Sequence, residues 1–180
     1  MSTGTRLVTA EELLRDYSDQ RCELINGEVI LMSPSSFRHG YVAARILHRL
    51  MGFVEDKGLG VICGAETGFI LSRDPDTVRA PDAAFVRIDR DEIPQHGYLN
   101  GPPDLAVEGV SPDDRVREVD AKARFWIEKG TRLVWVLWPQ TRSVTVYRPK
   151  GEPQVLHDDD ALDGEDVLPG FSLRVGDIFG

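Results

Sequence analysis

Asp82 directly follows Pro81, Glu108 interrupts the apolar stretch 105–110, and Lys122 follows in the next segment. These three residues have the types that hydrolytic chemistry needs. An ionised carboxylate inside an apolar strand is costly unless it meets a cation or hydrogen-bond donors. Two carboxylates on neighbouring strands with an ammonium nearby outline a divalent-cation site. Oxygen donors suit Mg²⁺, which takes one or two carboxylates and keeps waters or substrate phosphate. The cation polarises phosphoryl oxygens and lowers the pKa of a water. The lysine can orient that water or stabilise the transition state. The same spacing also fits a structural Glu108–Lys122 ion pair with Asp82 capping a loop.

Two further candidates lie upstream. Glu66, in GAETGF, is read as a strand residue that could add a metal ligand or position water. His39, in SFRHG, opens a helix and could contact phosphate or donate a proton. Glu23 and Glu28 flank an Asn-Gly turn and read as hairpin partners.

The elements that must position these residues follow from pattern. Thr9-Ala10-Glu11-Glu12 has the form of a capping box and starts a short helix to about Asp16. CELI, Asn26-Gly27 and EVILM form a hairpin signal. Val42, Ala43, Ile46, Leu47, Leu50, Phe53 and Val54 fall at helical spacing, and Gly58 ends that helix. Strands are expected at 61–71, 82–87 and 104–110, with 72–81 as a loop. Ser111-Pro112-Asp113-Asp114 has the residue types of a helix start running to about Lys129, with Lys122 at the edge of its apolar face. Arg115, Arg117 and Arg124 on it are diluted by acids. Residues 132–138 and 143–148 form a second hairpin, and the tail adds one short strand. Trp126, Trp135 and Trp138 read as core aromatics. The result is an α/β fold with a mixed central sheet flanked by helices and an N-terminal β-hairpin, in one domain over 1–180.

Composition narrows the function classes. Net charge is −9, and residues 150–180 hold eight acids against two bases. Phosphates repel such a protein, which counts against a simple nucleic-acid binding module. Cys22 and Cys63 have no zinc spacing and read as reduced thiols of the cytoplasm. No apolar run approaches the roughly 18 residues of a membrane span, and the N-terminus lacks the signal-peptide pattern.

Several runs together resemble one family. They are CELINGEVILMSPSSFRHG, TVRAPDAAFVR, GPPDLAVEGVSPDDRVREVDAKARFWIEKGTRLVWVLWPQTRSVTVYR and VLPGFSLRVGDIF, spanning about 8–179. The likeness is to the Uma-two family of restriction-endonuclease-like proteins in the PD-(D/E)XK nuclease superfamily. It implies a restriction-endonuclease-like fold and an Mg²⁺- or Mn²⁺-dependent endonuclease acting on phosphodiester bonds, DNA first. By position, Asp82 matches the aspartate of the PD half-motif and Glu108 the second acid. Val110 stands where the standard motif has its lysine, and Lys122 matches a lysine moved into the following helix. Gly109 replaces a usual aliphatic residue. Cutting both strands implies two sites, hence a homodimer. The alternative, favoured by the negative charge and Gly109, is a catalytically silent nuclease fold that binds nucleic acid or protein. A hydrolase of smaller phosphoesters is a third reading.

Overall fold

The computed structural model describes residues 6–90 and 93–180. Local chemistry sets its first elements. The Thr9 side chain accepts from the Glu12 amide while the Glu12 carboxylate accepts from the Thr9 amide, starting α1 (Ala10–Asp16). Asn26 and Gly27 have φ of 50° and 80°, as a two-residue hairpin turn that follows strand twist requires. They join β1 (Cys22–Ile25) to β2 (Glu28–Leu31). Ser36 accepts from the His39 amide at 3.3 Å to open α2 (Phe37–Lys57), and Gly58 closes it in the left-handed conformation.

The following elements are β3 (Gly60–Gly64), β4 (Phe69–Ser72), β5 (Thr77–Arg79), β6 (Ala83–Arg87), β7 (Leu99–Asn100), β8 (Leu105–Gly109), α3 (Val116–Glu128), β9 (Leu133–Trp138) and β10 (Ser143–Tyr147). The tail supplies β11 (Gln154–Leu156), β12 (Ala161–Asp163), β13 (Ser172–Arg174) and α4 (Gly176–Phe179). A six-stranded sheet runs β11-β10-β9-β8-β6-β3, with β8 and β9 parallel and its other pairs antiparallel. A five-stranded sheet runs β2-β1-β5-β4-β7, and β12-β13 form a ribbon. The fold is therefore mixed α/β with flanking helices, as expected, but the N-terminal hairpin is the edge of a second sheet.

Strand alternation sorts the six-stranded sheet into two buried faces. Ala83, Phe85, Leu105, Val107, Leu133, Trp135 and Leu137 cluster with Val42, Ile46, Leu50 and Val54 of α2. Ala84, Val86, Ala106, Val134 and Val136 cluster with Ala123 and Trp126 of α3. The acidic tail is anchored by apolar residues, since Leu162, Leu168, Phe171, Ile178 and Phe179 join the α2 cluster.

Four local readings are corrected. The expected strand 61–71 is two strands in two sheets, because the chain leaves the first at Gly64 and turns at Ala65 and Glu66. The expected loop 72–81 contains β5, which pairs with β1 and β4 and buries Val78. The helix expected from Pro112 starts at Val116, leaving Val116 66% exposed. The Asp114 carboxylate accepts from the Ser111 amide at 2.7 Å and folds 111–114 into a turn. The tail also holds three short strands and a helical turn where one strand was expected. No helix among the described residues is long and apolar enough to cross a membrane.

Candidate active site

The alternation that builds the core also aims Glu108. Leu105 and Val107 face α2, so Ala106 and Glu108 face α3. On α3, Lys122 and Trp126 are four residues apart and share one side of the helix. Lys122 Nζ donates to Glu108 Oε2 at 2.9 Å, and Trp126 Nε1 donates to Oε1 at 2.7 Å. Both oxygens of a carboxylate only 7% exposed are thus partnered. Burial pushes the Glu108 carboxyl above its usual range, and the nearby Asp82 charge adds to that, against the pull of Lys122 and Trp126. Burial disfavours the Lys122 ammonium, but Glu108 and Glu23 outweigh it and raise its pKa.

Asp82 arrives by register. Ala83 lies opposite Val107 in the antiparallel β6–β8 pair, so the next step sets Asp82 opposite Glu108. Like charges in that position repel, and each acid has its own counter-group. Asp82 Oδ1 lies 3.0 Å from His39 Nε2, and Oδ2 accepts from the Gly109 amide at 2.7 Å. Burial pushes Asp82 up, but the His39 hydrogen bond and charge, with the Gly109 amide, leave it below the usual carboxylate range. The bond to Asp82 raises His39 in turn. A Cβ on Gly109 would come within 3.2 Å of the His39 ring and 3.4 Å of Asp82 Oδ2. Glycine here gives the His39–Asp82 pair its room.

The sequence reading missed two participants. Glu23 does not pair with Glu28. Its carboxylate is buried and accepts from Arg79 Nε at 2.9 Å and the Ala80 amide at 3.3 Å, with Lys122 Nζ at 3.5 Å. Lys122 therefore stands between Glu108 of one sheet and Glu23 of the other. Only the buried position of an acid in the apolar run CELI could have signalled this. Ser111 was read as a helix cap, yet its hydroxyl lies 3.3 Å from His39 Nδ1. Glu23, His39, Asp82, Glu108, Ser111 and Lys122 line one cavity of about 620 Å³. Glu66 reaches only its rim: it sits in a turn with φ 70°, its side chain is 67% exposed, and it faces Arg21 at 3.6 Å.

A family model described as "Putative restriction endonuclease" (Uma2) matches residues 9–176. The chain belongs to the Uma2 family. A crystal structure described as a putative nuclease belonging to DUF820, from Anabaena variabilis, is 21% identical with a TM-score of 0.80. The alignment covers 96% of this chain and 97% of that one. At that identity the likeness is one of fold. No curated protein matches the chain.

Family membership raises the question of a divalent cation. Among the described residues, no three His, Cys, Asp or Glu side chains converge as a metal cage. Mg²⁺ asks for less, one or two carboxylates with waters and phosphate. Asp82 and Glu108 fit that demand: both line the cavity, their oxygens are hard donors, and a cation would relieve the raised pKa of Glu108. Glu66 lies apart from this pair. A second arrangement in this Uma2 site, Ser111–His39–Asp82, has the order of a serine nucleophile, base and orienting acid. Among the described residues, the amides at and just before Ser111 offer it no oxyanion hole. The Gly109, Val110 and Ser111 amides donate to Asp82, Leu137 and Asp114, and Pro112 has no N–H. Acyl transfer is not supported.

Proposed function

We propose that this protein is a metal-dependent nuclease hydrolysing phosphodiester bonds, with DNA its favoured polymer and Mg²⁺ or Mn²⁺ its cofactor. The observation that carries the reading is the Asp82–Glu108 pair with Lys122 held against it in one cavity. Asp82 and Glu108 are the residues that would hold the cation. Once bound, it would supply charge on the phosphoryl oxygens and make a water more acidic.

The remaining groups act through position and protons. Lys122 stays charged between Glu108 and Glu23 and presents its ammonium to the phosphoryl oxygens or the attacking water. Trp126 fixes the Glu108 carboxylate by a bond to its inner oxygen. Glu23, itself held by Arg79, reaches Lys122 from the other sheet. His39, between Asp82 and Ser111, can give a proton to the leaving alkoxide. A homodimer would supply two such sites for a double-strand cut.

The test is cleavage of supercoiled plasmid and single-stranded DNA with Mn²⁺ and then Mg²⁺. Wild type runs beside Asp82→Ala and Lys122→Ala, with EDTA as control. Nicking that needs metal and fails in both variants supports the assignment. Equal cleavage by all three proteins, or none by wild type, removes it.

A further inference from the structure

The chain carries 30 acids against 21 lysines and arginines, yet one long helix face escapes this balance. Residues 37–54 of α2 contain three arginines, two histidines and no acid. At about 100° per residue, Phe37, Arg38, Tyr41, Arg45, His48 and Arg49 fall within an arc of about 120°, which the acids Glu55 and Asp56 enter only in the last turn of the helix. The opposite face holds His39, Val42, Ile46, Leu50 and Val54, all buried. Arg38 to Arg49 spans about 17 Å at 1.5 Å per residue.

The bonding on this face differs from that of α3. On α3, Arg115 pairs with Glu118 at 3.3 Å and Arg124 with Asp120 at 2.9 Å, so those arginines are neutralised within their own helix. On α2, Arg38 donates to the Phe179 carbonyl, and Arg45 to the carbonyls of Asp177 and Ile178. Neutral carbonyls orient the guanidinium groups and leave their charge uncancelled. The Asp177 carboxylate, the acid of α4 on that side, lies 3.6 Å from Arg174. Arg38 and Arg45 also lie over the Tyr41 ring at 5.4 and 5.6 Å. A shallow groove lined by Tyr41, Ala44, Arg45, His48 and Arg49 runs along the face.

The stripe begins at the site. His39, on the first turn of α2, bonds Asp82, and Ser33 and Ser35 just before the helix line the cavity. Phe37 opens the stripe with 89% of its surface exposed. An exposed aromatic followed by unneutralised arginines suits a nucleic-acid backbone, with phosphates along the cations and the ring against the sugars. At about 3.4 Å per nucleotide, 17 Å covers roughly five nucleotides.

We infer that the outer face of α2 is the docking track for the DNA backbone, leading a duplex into the cavity at the start of the helix. This rests on the nuclease reading and adds where the substrate lies. It also answers the objection raised by the acidic composition, because the charge is segregated.

The test is fluorescence anisotropy of a labelled 20-base-pair DNA duplex across a salt series in EDTA, where no cleavage occurs. The variants are Arg49→Gln, which loses no intramolecular partner among the described residues, Arg38→Gln with Arg49→Gln, and Phe37→Ala. Lys150→Glu, beside the far edge of the six-stranded sheet, is the control, and thermal midpoints check folding. The double variant is expected to bind at least tenfold more weakly. Its slope of log affinity against log salt should flatten by about two, near one per lost phosphate contact. Arg49→Gln should flatten it by about one, and Phe37→Ala should lose several-fold. No binding by wild type, or losses no greater than in Lys150→Glu, overturns the track. Plasmid cleavage scored separately tells the two failures apart. A wild type that binds through the stripe but never cuts keeps the track and loses the nuclease. One that cuts while the stripe variants bind normally does the reverse.

Discussion

The two acids of the site face each other across one strand pair and live under opposite conditions. Asp82 sits at a strand entrance, held by the Gly109 amide at the end of β8 and by a histidine from α2, and its carboxyl is pushed below the usual range. Glu108 sits inside a strand, held by two side chains of α3, and is pushed above it. The two shifts diverge because the Asp82 charge is met by a histidine and an amide at the cavity, whereas that of Glu108 is drawn into the sheet. The supports differ too. Glu108 is built into the core, since Trp126 is itself a fully buried core residue. Asp82 depends on groups at the cavity wall. Glu108 is thus tied to stability as well as chemistry, and Asp82 chiefly to chemistry.

Five substitutions would break or sharpen that contrast. The largest effect is expected for Glu108→Ala, which leaves the half-buried Lys122 ammonium with Glu23 alone and the buried Trp126 N–H with no acceptor. Removing one partner of a buried pair costs about 3–5 kcal/mol, or roughly 6–20 °C in thermal midpoint for a chain this size. Asp82→Ala should lower the midpoint far less, and equal losses would erase the distinction. Trp126→Phe keeps the ring and removes the donor to Glu108, so about 1–3 kcal/mol should be lost. Urea titration reads it, and an unchanged midpoint concentration would show the indole bond to be idle. His39→Gln is next and depends on pH. His39 is raised above its ordinary pKa of about 6.5, so its pairing stabilises the fold below that value and fades as pH climbs through the raised one. Asp82 is lowered, so its share is present above its ordinary pKa of about 3.9 and is lost as pH falls through the lowered one. Metal-free melts should show a deficit of about 1–2 kcal/mol for His39→Gln near pH 5.5, shrinking as pH rises through the raised His39 value. A deficit flat across that range would contradict the pairing. Gly109→Ala should move stability least. Its Cβ presses on His39 and Asp82, so DNA cleavage should fall several-fold while the midpoint shifts by only a degree or two. Full activity would mean that the pair tolerates displacement.

Much of this architecture was legible from pattern. The Asn26-Gly27 hairpin, the Thr9 capping box and the α2 stripe obey short-range rules, and the structure follows them. Asp82, Glu108 and Lys122 stood out because a charge in an apolar segment demands a partner, and the structure brings them to one cavity. What escaped was non-local. β5 and β7 have three and two residues, too few for periodicity to register. The place of Glu23 depends on how the hairpin sheet meets α3, and no local rule encodes that. Ser111 and Asp114 have the composition of a helix start, but a competing side-chain turn delays the helix by four residues. Glu66 was placed by strand pattern, and its positive φ breaks the strand at that residue.

Lys122 takes one of its two carboxylate neighbours from each sheet. A fluctuation that lifts the hairpin sheet from α3, melting neither, removes Glu23 and Arg79 from the lysine while Glu108 stays in place. Sub-global openings of this kind require less free energy than complete unfolding. Opening of the site and denaturation are then separate events. On warming, the Lys122–Glu23 contact is expected to open before the core cooperatively melts, and the amide protons of β1 to exchange with solvent ahead of those in β8 and β9.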